Sequence, residues 1–309
     1  MPHYPSIVRA LAISSVAAIA ALAALLPVPA RARDAAALER GRYLVTTIMA
    51  CGNCHTPKDA QGRPVAGKEL SGGGVAIDVP PFTVVAPNIT PDRDTGIGTW
   101  SDAEIRRAIT HGERPQRSAL AGKPIAVMAV GFFKALLPSD LDAIVAYLRS
   151  LPPIVNAVAP PVYRAPVEQQ SFPLAERGFR ERDLHDKVRR GAYLTTIGHC
   201  LECHTPQDEQ GRGLYETSLG AGGRPFLPSF VKGLAADWKG SVSRNLTSDR
   251  EHGLGGWSDA EIKRAIAHGV GRDGRKLAEP MAYAWYAGIR ADDLDAIVAF
   301  LRTLPPIAR

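Results

Sequence analysis

Apolar and polar positions along the chain fall into three kinds of stretch. From Ala10 to Val28 the sequence is apolar, broken only by Ser14 and Ser15. Arg9 stands before this run and Ala30-Arg31-Ala32 after it. That order of charge, apolar run and small-residue site predicts an export leader over 1–32, with the mature chain starting at Arg33. The rival reading is an uncleaved anchor, although the run is close to the short limit for a membrane span and its alanines make it weakly hydrophobic.

The second kind of stretch has a helical period. Ser101 with Glu104 forms a capping box, and Ile105, Ala108 and Ile109 follow on one face. Ser258 with Glu261 repeats the pattern, and His111-Gly112 and His268-Gly269 sit where these helices should stop. A further helix starting near Ser139 aligns Leu141, Ile144, Val145 and Leu148. Pro152 ends it, as Pro305 ends a similar helix near the other end. The third kind has no period. Glycines, prolines and a few β-branched residues predict loops after each cysteine pair, with at most a short hairpin in Gly213–Val231. Pro160, Pro161, Pro166 and Pro173 predict an extended connector. It is long for a loop, which favours a segment that wraps over one half.

The helical stretches recur because the chain is duplicated. Gly41-Arg-Tyr-Leu-Val-Thr-Thr-Ile48 returns as Gly191-Ala-Tyr-Leu-Thr-Thr-Ile197, and Asn88-Ile-Thr-Pro-Asp as Asn245-Leu-Thr-Ser-Asp. The segment Trp100–Gly112 returns as Trp257–Gly269, and Asp140–Arg149 as Asp293–Arg302. Both copies close on Leu-Pro-Pro-Ile. This divides the chain into the leader (1–32), a first domain (33–155), a proline-rich linker (156–185) and a second domain (186–309).

Composition is that of a globular protein, 45% hydrophobic and 22% charged over 309 residues, enough for two modest cores. The net charge is +6 and falls to about +4 without Arg9 and Arg31. The basic side chains are scattered, so the charge gives no ground for nucleic-acid binding.

The four cysteines change the picture most. They form two tight pairs, Cys51-Gly-Asn-Cys54-His55 and Cys200-Leu-Glu-Cys203-His204, at equivalent points of the repeats. Sulfurs at i and i+3 share one side of a helical turn, where each can form a thioether to a haem vinyl group, and the following histidine can bind iron. A four-cysteine zinc site would need both pairs to converge. A redox dithiol would need a βαβ setting that the pattern lacks. Two covalently attached haems c are therefore expected, on Cys51, Cys54, Cys200 and Cys203, with His55 and His204 on iron.

Methionines are scarce, and this makes the other axial ligand legible. Of four, Met1 falls in the leader and Met49 has no equivalent, whereas Met128 and Met281 each stand twelve residues before the matched Asp140 and Asp293. Met128 and Met281 are the expected partners of His55 and His204, giving closed, six-coordinate irons of raised potential. His111 and His268 are the competing ligands, although a histidine at a helix end commonly bonds the last carbonyls. His185, His199 and His252 have no equivalents and are expected at the surface. Trp100 and Trp257 are expected in the core, where an indole N–H could also meet a haem propionate. Asn88 and Asn245 could do the same or shape a turn.

With these motifs together, the chain resembles class I c-type cytochromes in tandem over about residues 38–153 and 188–307. The Asn-Ile-Thr-Pro-Asp, Gly-Ile-Gly-Thr-Trp-Ser-Asp and closing Asp-Leu-Asp-Ala-Ile-Val-Ala-Tyr-Leu-Arg-Ser-Leu-Pro-Pro segments are similar to those in cytochrome c subunits of bacterial periplasmic dehydrogenases. The resemblance implies an all-α fold, two small helical domains each wrapped around one haem. It implies electron transfer in the periplasm, with a dehydrogenase as donor and a cytochrome or terminal oxidase as acceptor. Membrane association would come only through a complex or an uncleaved leader. Many such subunits carry three haem motifs, so a free shuttle and a complex subunit both fit. Two alternatives remain open: a dihaem peroxidase-like enzyme, which would need one labile iron site, and haem-based gas sensing.

Overall fold

The computed structural model describes residues 30–309. The expected leader lies outside the described residues, except for its last three positions.

The first repeat opens with α1 (Ala30–Tyr43), which runs on through a π-helical turn over Leu44–Ile48 and then a short α2 (Gly52–His55). α3 (Asp102–His111) has the expected capping box: Ser101 accepts from the Glu104 N–H, and Glu104 accepts from the Ser101 N–H at 2.7 Å. It stops at Gly112, whose φ of 66° is the left-handed cap that glycine takes without strain. The one-turn α4 (Val130–Phe133) and α5 (Pro138–Ser150) complete the repeat. Pro138 sits in the first turn of α5, where its missing N–H costs nothing. Ile144, Val145 and Leu148 are buried on one face of α5, as its period requires.

The linker follows, with α6 (Pro173–Arg177) and a 3₁₀ turn over Glu181–His185. The second repeat then mirrors the first: α7 (Lys187–Ile197), α8 (Cys200–Cys203), α9 (Asp259–His268) with its own capping box and Gly269 cap, α10 (Tyr283–Tyr286) and α11 (Ala291–Leu301).

The expectation of an all-α chain does not hold. β1 (Ala76–Val79) and β2 (Phe82–Val85) form an antiparallel hairpin. β3 (Val162–Tyr163) from the linker and β5 (Val231–Lys232) from the second repeat extend it in the order β3-β2-β1-β5. β4 (Pro225–Phe226) pairs with β6 (Ser241–Val242). These strands are two to four residues long, and the sheet is assembled from three separate parts of the chain. Only the short run around Gly213–Val231 carried a hairpin signal, and it holds β4 and the first residue of β5, which pair with strands outside it.

Within each repeat the first and last helices cross at a glycine. A Cβ on Gly41 would overlap the carbonyl oxygen of Ala143, and one on Gly191 that of Ala296. This close approach explains the repeated glycine before each tyrosine, and it sets the depth at which α1 packs on α5 and α7 on α11.

The two repeats share one continuous core. Leu44, Val45 and Ile48 of the first cluster with Tyr193, Leu194, Ile197 and Leu201 of the second. A reciprocal polar clasp accompanies it. Arg40 binds the buried Asp140 of its own repeat through two bonds of 2.7 and 2.8 Å, and Tyr193 of the other repeat donates to that carboxylate at 2.6 Å. In mirror fashion, Arg190 binds Asp293 and Tyr43 donates to it at 2.6 Å. Each buried carboxylate is thus charge-paired within one repeat and hydrogen-bonded from the other, as a buried charge requires.

The linker is packed rather than dangling. Asn156 donates to Ser71 O, Arg164 grips the end of β1 at Asp78 and Val79, and Tyr163 donates to Pro124 O. Phe172, 1% exposed, stacks on Phe132 at 4.2 Å and meets Tyr215 edge-on at 5.2 Å. Its two short helical segments were not expected from its prolines, but Pro173 occupies the first turn of α6, where proline is tolerated.

Candidate functional site

Each cysteine pair is held on one helical turn. The His55 N–H donates to Cys51 O at 2.9 Å, and the His204 N–H to Cys200 O at 3.1 Å, so both sulfur-bearing residues and the histidine are fixed by one short helix. A threonine follows each histidine and locks the next stretch of chain. Leu70 N–H donates to Thr56 Oγ1 and Gly220 N–H to Thr205 Oγ1, both hydroxyls being buried. The chain then returns across the histidine: Gly72 N–H donates to His55 O at 2.6 Å and Gly222 N–H to His204 O at 2.8 Å. None of the four cysteines is paired in a disulfide.

The histidines carry the most informative contact. His55 Nδ1 lies 2.7 Å from Pro87 O, and His204 Nδ1 2.7 Å from Arg244 O. A carbonyl can only accept, so Nδ1 bears the proton in each ring and Nε2 keeps the lone pair. Burial holds both imidazoles below their ordinary range, against the pull of the carbonyl, which favours the neutral form that binds metal.

The acceptors precede Asn88 and Asn245, and this gives the repeated asparagines their task. Asn88 Oδ1 accepts from the N–H and hydroxyl of Thr90, while Nδ2 donates to Ile154 O at 2.7 Å and to Thr95. Asn245 does the same with Thr247 and Ile307. Their side chains shape the turn and tie down the closing Leu-Pro-Pro-Ile segment. Trp100 packs against the core and Trp257 is half-buried, and their carbonyls accept from Arg149 and Arg302 respectively.

Met128 and Met281 take the same local position in the two repeats. Val130 N–H donates to Met128 O, and Tyr283 N–H to Met281 O, each at the entry to the matching one-turn helix. Both side chains are half-buried, Met128 against the main core and Met281 against Ala50, Ala282 and Tyr286. Met49 is buried in the core. His111 and His268 are exposed at the ends of α3 and α9, next to their glycine caps. His199, expected at the surface, instead lies where the repeats meet: its Nδ1 is 3.2 Å from Glu202 and its ring is edge-on to Phe133 at 5.9 Å.

The set of free sulfurs on one turn, an imidazole with its lone pair on Nε2 and a thioether at an equivalent place fits a covalently attached haem in each repeat. A model for the family described as cytochrome c matches residues 38–152. Residues 38–152 belong to the cytochrome c family. Across most of its length the chain is similar to several curated bacterial proteins. A nicotinate dehydrogenase subunit of Pseudomonas putida is 31% identical over 290 residues, 88% of this chain and 22% of that protein. The cytochrome c subunit of the quinone alcohol dehydrogenase of Gluconacetobacter polyoxogenes is 30% identical over 294 residues, 89% of this chain and 57% of that protein. A diheme cytochrome c-type protein of Cereibacter sphaeroides is 29% identical over 83% of this chain and 82% of that protein. The chain thus spans under two thirds of the first two of these relatives. No helix among the described residues is long and apolar enough to cross a membrane.

Sequence reasoning missed the two carbonyl acceptors, Pro87 and Arg244. A signal existed, since each directly precedes the repeated Asn-(Ile/Leu)-Thr, but a carbonyl has no residue type to recognise. It also missed a contact between repeats, from Asn53 to Pro280 O at 3.0 Å.

Proposed function

We propose that this chain is a dihaem c-type cytochrome that carries electrons in the bacterial periplasm, from a dehydrogenase to a downstream cytochrome or terminal oxidase. The observation that carries this reading is the pair of equivalent imidazoles, each fixed by a backbone carbonyl at Nδ1 beside its two thiols. In the proposal each repeat is one haem domain, with Cys51 and Cys54, or Cys200 and Cys203, as thioether donors. His55 and Met128 are the iron ligands of the first domain, and His204 and Met281 those of the second. Haem c so ligated supplies a one-electron couple with no open coordination position. The carbonyls of Pro87 and Arg244 hold the imidazole planes, and the shared core keeps both sites fixed, so little rearrangement accompanies a change of charge. Several relatives are named as cytochrome subunits of dehydrogenases, which supports a dehydrogenase as donor.

An anaerobic reductive titration of the periplasmically matured protein tests the reading. It should take up two electrons per chain, and the reduced protein should bind no carbon monoxide at neutral pH. Rapid carbon monoxide binding by one iron would favour the peroxidase-like or gas-sensing alternatives.

A further inference from the structure

The Met281 segment is held from both sides, and one of those sides is the other repeat. Within its own repeat, the indole N–H of Trp238 donates to Glu279 O at 3.0 Å and the hydroxyl of Ser241 to the same oxygen at 2.6 Å. From the first repeat, Asn53 Nδ2 donates to Pro280 O at 3.0 Å, the carbonyl of the peptide that joins Pro280 to Met281. Asn53 lies between Cys51 and Cys54. Its own carbonyl oxygen is oriented by Lys58, whose ammonium donates to Oδ1 at 3.0 Å and stands 5.8 Å from the Trp285 ring centroid. Trp285, four residues after Met281, covers Gly52 so closely that a Cβ there would overlap its indole nitrogen. Gly52, Asn53 and Lys58 therefore form a seat on the first attachment segment that receives the Met281 loop.

The arrangement is one-sided. At the matched positions the second repeat has Leu201, which is fully buried in the core, and Glu202, whose carboxylate turns to His199. A carboxylate has no N–H to donate, so Glu202 cannot hold the Met128 loop in the same way.

We propose that Asn53 is a positioning residue for Met281: the first attachment segment fixes the axial ligand of the second haem, with Lys58 holding the Asn53 amide in its donating orientation. This rests on Met281 being an iron ligand. Losing one partly buried amide-to-carbonyl bond is worth about 1 kcal/mol, which raises the fraction of time that Met281 is off iron about fivefold.

Cyanide titration of the oxidised, two-haem protein reads that fraction, because cyanide takes the iron only when the thioether is displaced. In Asn53→Ala, one of the two irons should bind cyanide about fivefold more tightly, and that same iron should shift in reduction potential, with the other unchanged in both. Lys58→Met should move the same iron in the same direction by less, and it covers the case in which Asn53→Ala fails to mature. Unchanged cyanide affinity at both irons in the two variants would overturn the proposal, as would an equal change at both irons. Met281→Ala separates this from a failure of the ligand assignment. It should abolish the weak near-infrared sulfur-to-iron band of one haem, and a band left at full intensity would reject Met281 as ligand and the positioning role with it.

Discussion

The two attachment segments, Cys51–His55 and Cys200–His204, are alike where they face their own repeat and unlike where they face the other. Each histidine donates to a carbonyl at 2.7 Å, and each following threonine receives a glycine or leucine N–H. The two residues between the cysteines differ. Leu201 is fully buried and fills the shared core, whereas Gly52 lies beneath Trp285 and has room for no side chain. Duplication preserved the geometry of the cysteine pair and its histidine, while the packing of one copy against the other divided the intervening positions into a core residue and a docking seat.

Exchanging these residues is the sharpest way to break the comparison. Leu201→Ala should cost the most, about 2–5 kcal/mol, because it empties a fully buried position in the core common to both repeats. Gly52→Leu should cost about 1–3 kcal/mol through overpacking against Trp285. Denaturant unfolding of the haem-loaded protein measures both. Equal, near-zero effects would mean that the two positions are interchangeable and that the repeats do not dock as described.

The smallest expected effect separates the two capping boxes. The Arg117 guanidinium, with the Ser101 N–H and hydroxyl, lowers Glu104 to about 2. Glu261 is lowered chiefly by the Ser258 N–H, and its nearest guanidinium, Arg272, stands at 3.6 Å. A carboxyl whose folded pKa is depressed adds stability above its ordinary range, and this is lost as pH falls through the depressed value. Glu104→Gln should therefore flatten the acid unfolding profile between about pH 4.5 and 2, followed by far-ultraviolet circular dichroism, and Glu261→Gln should do so less. A larger effect from Glu261→Gln would reverse the assignment of the stronger box.

Much of this was legible in the sequence because it is local. Capping boxes and glycine caps depend on residues within one turn of each other, and the structure has them where the pattern placed them. The thiol and imidazole spacing is local in the same sense. What escaped detection joins distant segments. The sheet takes strands from the first repeat, the linker and the second repeat, each too short to show alternation. The Tyr43–Asp293 and Tyr193–Asp140 bonds span 250 and 53 residues, and nothing in either tyrosine's neighbourhood names its acceptor. Asn88 and Asn245 were visible as repeated residues, but their work is to tie down tails more than sixty residues away. His199 lacks an equivalent because it lies at the contact between repeats, where the two copies have diverged.

Two equivalent iron sites with the same Met/His ligand pair are the centre of the proposed function. The measurement that tests it most directly is the haem count by pyridine haemochrome, combined with the near-infrared spectrum of the oxidised protein. Two haems c per chain, with the sulfur-to-iron band at the intensity of two Met/His sites, is the predicted result. One haem per chain, or a band at half intensity or absent, would contradict it and bring forward an open iron or ligation by His111 or His268.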